Sequence, residues 1–303
     1  MYMRFIKPLL FVIVPVMTIL SCRKEDPLHV DDISGLGGDT WPPGSIDQWL
    51  YDTLTVPYNI ATKYKWDQFE LEVNKTIVPP KEEKVIPVMS TIKRVWIEPY
   101  IAQAGDLFFK KYCPKFFVLA GSASYNLDGS ITLGTAEGGR KIVLYALNDF
   151  KNRSMPDYMP ADSAVLKQMF HVIEHEFTHI LDQNAQRPVA FDVVCKGLYT
   201  ADWINTTDAN ALQDGFISAY ALSSPIEDFA ETLSLMIIEG KAAFDARVNS
   251  ITGTSARGTT AQQAQDRLKL KESLLVDYLR DSWNIDFYSL QIRTRLAIEK
   301  EIY

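Results

Sequence analysis

The chain has 303 residues, 47% of them hydrophobic and 23% charged, an ordinary globular mix with enough length for one large domain or two small ones. A formal net charge of −7 argues against nucleic acid as the main partner. No internal repeat and no low-complexity tract interrupts the sequence.

Residues 1–21 read as a signal peptide. Arg4 and Lys7 give a positive start, and the apolar run Leu9 to Leu20 is too short to span a bilayer and contains Pro15. The run ends in Ile19-Leu20-Ser21-Cys22, which resembles a bacterial lipobox and implies cleavage before Cys22 and acylation of its thiol. The Arg-Lys-Glu-Asp that follows resembles the surface-export signals of Bacteroidetes-type lipoproteins, implying the outer face of the outer membrane. Residues 22–45 then form a lipidated Cys and a flexible, Gly/Pro-rich tether, and residues 46–303 the folded domain. The two remaining cysteines, Cys113 and Cys195, either pair or stay as buried thiols.

Within the domain, Ile46 to Leu54 has helical spacing, with Ser45 as cap and Pro57 as the end. Tyr58 to Tyr64 alternates like a strand. A longer helix covers Lys81 to Ala104, kinked or divided at Pro87 and Pro99. A β-rich block follows: Phe116 to Ala123, Ser130 to Thr135 and Lys141 to Leu147, with turn signals at Asp128-Gly129 and Gly138-Gly139.

The central helix, capped by Asp162 or Ser163 and running to about Gln183, carries His175-Glu176-Phe177-Thr178-His179. Its pattern H-E-x-x-H puts two imidazoles on one helix face, where both reach a single ion, with Glu176 beside them as a base for water. So apolar a helix is largely buried, and two buried histidines with a buried carboxylate are costly unless a metal or hydrogen bonds compensate. The span 187–218 is mixed, with loop signals. A further helix starts at Pro225 and sets Glu227 and Glu231 four apart on an inward face. The simplest assignment gives zinc to His175, His179 and Glu227, with Glu231 accepting the free ring N–H of a ligand His, His175 favoured. His171, Asp228 and Glu174 are rival ligands. His171 lies eight residues from His179 and about 80° around the helix, which suits a supporting or core role better. Asp182, near the end of the same helix, either bonds near the site or faces solvent.

His-Glu-Phe-Thr-His followed by Tyr220-Ala-Leu-Ser-Ser-Pro-Ile-Glu227-Asp-Phe-Ala-Glu231 resembles the gluzincin metallopeptidases, particularly the anthrax lethal factor type. The resemblance implies that Glu227 binds zinc, that Glu231 supports a ligand His, and that Tyr220 assists the transition state. With the lipoprotein start, the chain looks closer still to the zinc metallohydrolase lipoproteins that Bacteroidetes associate with substrate import. That likeness rests on the N-terminus, the Pro57-Tyr58-Asn59-Ile60 segment and residues 170–236. A phenol also has a chemical rationale there, since negative charge builds on the carbonyl oxygen as a peptide bond is attacked.

After a Gly/Ser/Thr-rich loop at 251–260, Ala261 to Trp283 and Phe287 to Ile302 read as amphipathic helices closing the core, with Lys, Arg and Glu on their outer sides. The expectation is an α+β, zincin-like domain with a small mixed sheet packed on the motif helix and a helical C-terminal part. It would be a zinc metallopeptidase cutting extracellular protein or glycoprotein, lipid-anchored in the outer membrane and linked to a nutrient-uptake system. The competing readings are a non-catalytic or weakly catalytic binding lipoprotein of such a system, and a metallohydrolase acting on another amide.

Overall fold

Two helical stretches, each continued through a π-turn, open the fold in the computed structural model, which describes residues 42–67, 69–72, 74–126, 131–137 and 140–303. The signal peptide, Cys22 and the turns at Asp128-Gly129 and Gly138-Gly139 lie outside the described residues. Helix α1 (Ser45–Leu50) passes through a π-turn (Tyr51–Thr55) into α2 (Val56–Tyr58). The cap is Gly44, whose N–H donates to Asp47 at 2.7 Å, and not Ser45. Pro57 does not end the helix as expected; Asn59 does, with φ 56°. The wider π-turn just before Pro57 relieves the clash between its ring and the preceding carbonyls. The same device recurs where α3 (Glu82–Ile92) continues through a π-turn (Lys93–Ile97) into α4 (Glu98–Ala104), which carries Pro99. Gly105, at φ 87°, then turns the chain into a helix that sequence reading did not resolve, α5 (Asp106–Tyr112).

The sheet is small and mixed. Strands β1 (Ala61–Lys63), β2 (Phe116–Leu119) and β6 (Lys141–Leu144) run parallel, and β5 (Gly134–Glu137) joins the far edge antiparallel to β6, giving the order β1-β2-β6-β5. The expected strand over 130–135 is in fact two. Its start, β4 (Ile131–Thr132), pairs with β3 (Ser124–Tyr125) in a separate ladder, and Leu133 separates it from β5. Both faces of the central strands are covered, which is why they read as unbroken apolar runs. Phe117, Leu119, Ile142 and Leu144 join the main core, while Val118, Ala120, Val143 and Tyr145 pack on Ile77.

The motif helix α6 (Ser163–Asn184) lies between this sheet and the helices that follow. Phe177, one of the unspecified positions of the motif, faces the core and meets Trp96 and Tyr100 edge-on at 5.2 and 5.0 Å. Against the other side of α6, β5 comes close at one point. A Cβ on Gly134 would fall 2.1 Å from Val172 Cγ1, so glycine sets how near the edge strand lies to the motif helix.

Short helices α7 (Val189–Val194) and α8 (Asp208–Gln213) fill the mixed span and lead to a 3-10 turn at Tyr220–Leu222. Helix α9 (Pro225–Glu239) packs along α6, and α10 (Lys241–Ser250) follows. The C-terminal helices are α11 (Ala261–Trp283) and α12 (Phe287–Ile302). Their charged residues are not all outside: Lys271 is fully buried, and Glu272 and Glu301 nearly so. Cys113 and Cys195 are free, buried thiols. Among the described residues no helix is long and apolar enough to cross a membrane.

Candidate metal centre

Helix geometry sets the first two donors. His175 and His179, one turn apart on α6, bring their Nε2 atoms to 3.0 Å. Glu227 comes from the first turn of α9, where Pro225 stands at the start and the Ser224 hydroxyl accepts the Glu227 N–H. A carboxylate there is also favoured by the positive end of the helix. Its Oε2 lies 3.0 Å from His175 Nε2 and 3.3 Å from His179 Nε2.

These three atoms form a nearly equilateral triangle. His175, His179 and Glu227 would hold a zinc ion there, since donors this close together can all reach one ion at about 2.0–2.1 Å. Two imidazole nitrogens and one carboxylate oxygen, at these separations, fit zinc in chemistry and in size.

The second carboxylate holds the first histidine. Glu231 Oε1 lies 2.8 Å from His175 Nδ1, so it accepts that N–H and leaves Nε2 facing the triangle. Glu231 is itself clamped: the same oxygen is 3.0 Å from His171 Nε2, and Oε2 accepts the Ser218 hydroxyl at 2.6 Å. His171 Nδ1 in turn lies 3.1 Å from Ser234 Oγ. His171 and Glu231 can also form a donor group with His175, but there Glu231 already engages the His175 Nδ1.

Charge follows this geometry. Burial works to raise the Glu227 carboxyl, but hydrogen bonds and charge from His175 and His179 overcome it and hold the group at about 2. Glu231, also buried, is held lower still by His171 and His175. Burial lowers His175, and the two carboxylates outweigh it, lifting the ring to about 10. The cluster therefore concentrates negative charge around one imidazole, a setting that attracts a cation. Glu176 lines the adjoining groove, and burial raises its carboxyl above the usual range, with Glu227 adding to the rise against the two histidines. Tyr220 stacks on the His175 ring at 5.8 Å and packs against Trp203 at 4.9 Å. Burial, and then the charge of Glu227 and a hydrogen bond to it, raise the phenol above its ordinary value, so it keeps its proton.

The structure thus brings His175, His179, Glu227, Glu231, Glu176 and Tyr220 to one place. The rival ligands lie elsewhere. His171 bonds Glu231 outside the triangle. Glu174 is on the buried back of α6, accepting from Tyr100 at 2.7 Å. Asp228 pairs with Lys271. Asp182, expected either to bond near the site or to face solvent, binds Arg187 instead. Two participants escaped sequence reading. Ser218 carries no motif. Lys271 did leave a signal, because Ala264, Leu268, Lys271, Leu275 and Tyr278 follow one helical stripe, and four of those five are apolar.

A groove of about 710 Å³ opens beside the cluster. One wall is Gln168, His171, Val172 and Glu176 of α6; the facing walls come from Thr132 to Gly134 and from Trp203 and Tyr220.

Over residues 39–288 the sequence matches a family model described as "Putative zinc-binding metallo-peptidase". A crystal structure of a protein of the same description from Bacteroides caccae superposes with a TM-score of 0.65 and 29% sequence identity, covering 85% of this chain and 95% of that one. No curated protein matches.

Proposed function

The chain belongs to the zinc-binding metallo-peptidase family matched by residues 39–288, and from that premise we propose that it is a zinc-dependent peptidase hydrolysing peptide bonds of extracellular protein or glycoprotein. The observation that carries the reading is the donor triangle of His175, His179 and Glu227 with Glu176 and Tyr220 lining the groove beside it. His175, His179 and Glu227 would hold the zinc ion, which when bound polarises a carbonyl and makes water acidic enough to attack it. Glu176, with its raised carboxyl, takes the proton from the attacking water and passes it to the leaving amine. Tyr220, still protonated, donates to the carbonyl oxygen as charge develops there. Glu231 keeps His175 in the tautomer that presents Nε2. A structural site would not need a carboxylate in the place of Glu176. The outer edge of β5, which has no neighbouring strand among the described residues, is suited to pair with an extended peptide backbone.

The same proposal places the protein on the outer membrane, anchored through acylated Cys22 and exposed at the surface, where it would serve a nutrient-uptake system. Its support is the lipobox-like Leu20-Ser21-Cys22 and the charged residues that follow.

The test is a digest of a peptide library by the purified protein, with zinc and with a chelator. Zinc-dependent cleavage that disappears in Glu176→Ala is the expected result. No cleavage by zinc-loaded protein, or unchanged cleavage in Glu176→Ala, would sink the enzyme reading.

A further inference from the structure

We propose that Lys271, on a C-terminal helix with no recognisable motif, is a positioning residue for the metal centre. This rests on the metallopeptidase reading for its purpose, though not for its geometry. The Lys271 and Asp228 side chains are both wholly shielded from solvent, and Nζ lies 2.6 Å from Asp228 Oδ2. The same ammonium donates to Asp228 Oδ1 at 2.9 Å and to the Gly215 carbonyl at 2.8 Å. It also sits over the Phe216 ring, 4.3 Å from its centroid.

Those contacts reach two different parts of the site. Asp228 directly follows Glu227 in the first turn of α9. Gly215 begins the segment that delivers Ser218, which binds Glu231, and then Tyr220. One cation therefore fixes the helix turn holding a metal donor and the loop holding the supporting groups.

Neighbouring contacts converge on the same two parts. Tyr199 donates its hydroxyl to Asp228 Oδ2 at 3.0 Å, and the next residue, Thr200, donates its N–H to the Leu222 carbonyl of the 3-10 turn at 2.9 Å. Arg267, one turn before Lys271 on α11, donates to the Asp214 carbonyl at 3.0 Å. Gly215 has φ +88°, and a Cβ there would come 2.9 Å from Arg267 Cβ, so this segment and α11 are fitted closely to each other.

Packing alone does not call for such a pair. Burying an ammonium and a carboxylate is costly, and apolar residues of similar volume fill the same space as well or better. What the ion pair adds is direction: the ammonium must point at fixed acceptors on two elements at once. That makes α11 the strut that holds Glu227 and Tyr220 in register with α6.

The experiment uses the full chain and the paired substitution Asp228→Asn with Lys271→Met, which removes both charges together and avoids an unpaired buried one. Zinc affinity is measured by competition with a chromophoric chelator, with circular dichroism as the check on folding and kcat and KM taken on a cleaved peptide. The expected result is a folded protein whose zinc Kd is weakened about 10-fold or more, with kcat reduced more than KM is raised. Tyr199→Phe, which keeps both charges and removes one hydrogen bond, should weaken zinc binding several-fold, and it carries the test alone if the double variant does not fold. Zinc affinity within twofold of wild type in Tyr199→Phe, or in a folded double variant, overturns the proposal. The zinc measurement needs no substrate, so a wild type that binds zinc and cleaves nothing counts against the peptidase reading only.

Discussion

Glu231→Gln tests how the second carboxylate supports the donor triangle. In the native site one carboxylate accepts from three side chains: His175 at 2.8 Å, His171 at 3.0 Å and Ser218 at 2.6 Å. The carboxamide keeps one carbonyl oxygen, enough to accept the His175 N–H, but loses the negative charge that makes the ring a stronger donor to a metal. Its amide nitrogen cannot accept, so either Ser218 must turn its hydroxyl or the histidines lose their shared oxygen. Outer partners of this kind are worth about 10- to 100-fold in metal affinity, or roughly 1.4–2.8 kcal/mol. His171 acts through the same oxygen, so His171→Gln should weaken zinc binding by about 3- to 10-fold in the wild type and hardly at all beside Glu231→Gln. Chelator competition on the four proteins gives the full cycle. Unchanged zinc affinity in Glu231→Gln, or independent and additive effects of the two substitutions, would refute the clamp.

Tyr220→Phe keeps the stacking on His175 and removes the proton donor; kcat should fall about 10²-fold with KM nearly unchanged, as steady-state kinetics on one peptide would show. Gly134→Ala drives a methyl group into Val172 Cγ1, which a β-branched side chain in a helix cannot easily swing aside. Overpacking of this kind costs about 1–3 kcal/mol, so urea unfolding should show a loss in that range, and no loss would mean the strand and helix are not held at this spacing. Glu301, whose partners are not those of the metal centre, is raised by burial but held below the ordinary range overall by Arg94, Thr91 and Asn152. A depressed carboxyl contributes stability that is complete above its unfolded value and disappears as pH falls through the folded one. Urea midpoints of wild type and Glu301→Gln should therefore converge on acidification, and a constant gap from neutral pH to strongly acidic conditions would rule this out.

The legible parts of the site share one property: their partners are near in sequence or lie on a regular helix. The i, i+4 spacing of His175 and His179, and that of Glu227 and Glu231, fixes a common face before any tertiary contact forms. Apolar runs likewise marked the central strands β2 and β6. Pro57 was misread because a proline's local cost was judged without the π-turn that absorbs it.

By itself, then, the sequence determined which side chains were available and which of them share a helix face. Only the tertiary structure decided which of the available carboxylates meets the histidines. Asp228, next to Glu227 in the chain, points instead to a lysine 43 residues away, and His171 turns to Glu231 and away from the triangle. Those choices depend on how α9 packs against α6 and α11 against α9, and packing distances between elements are not encoded in the period of any one of them.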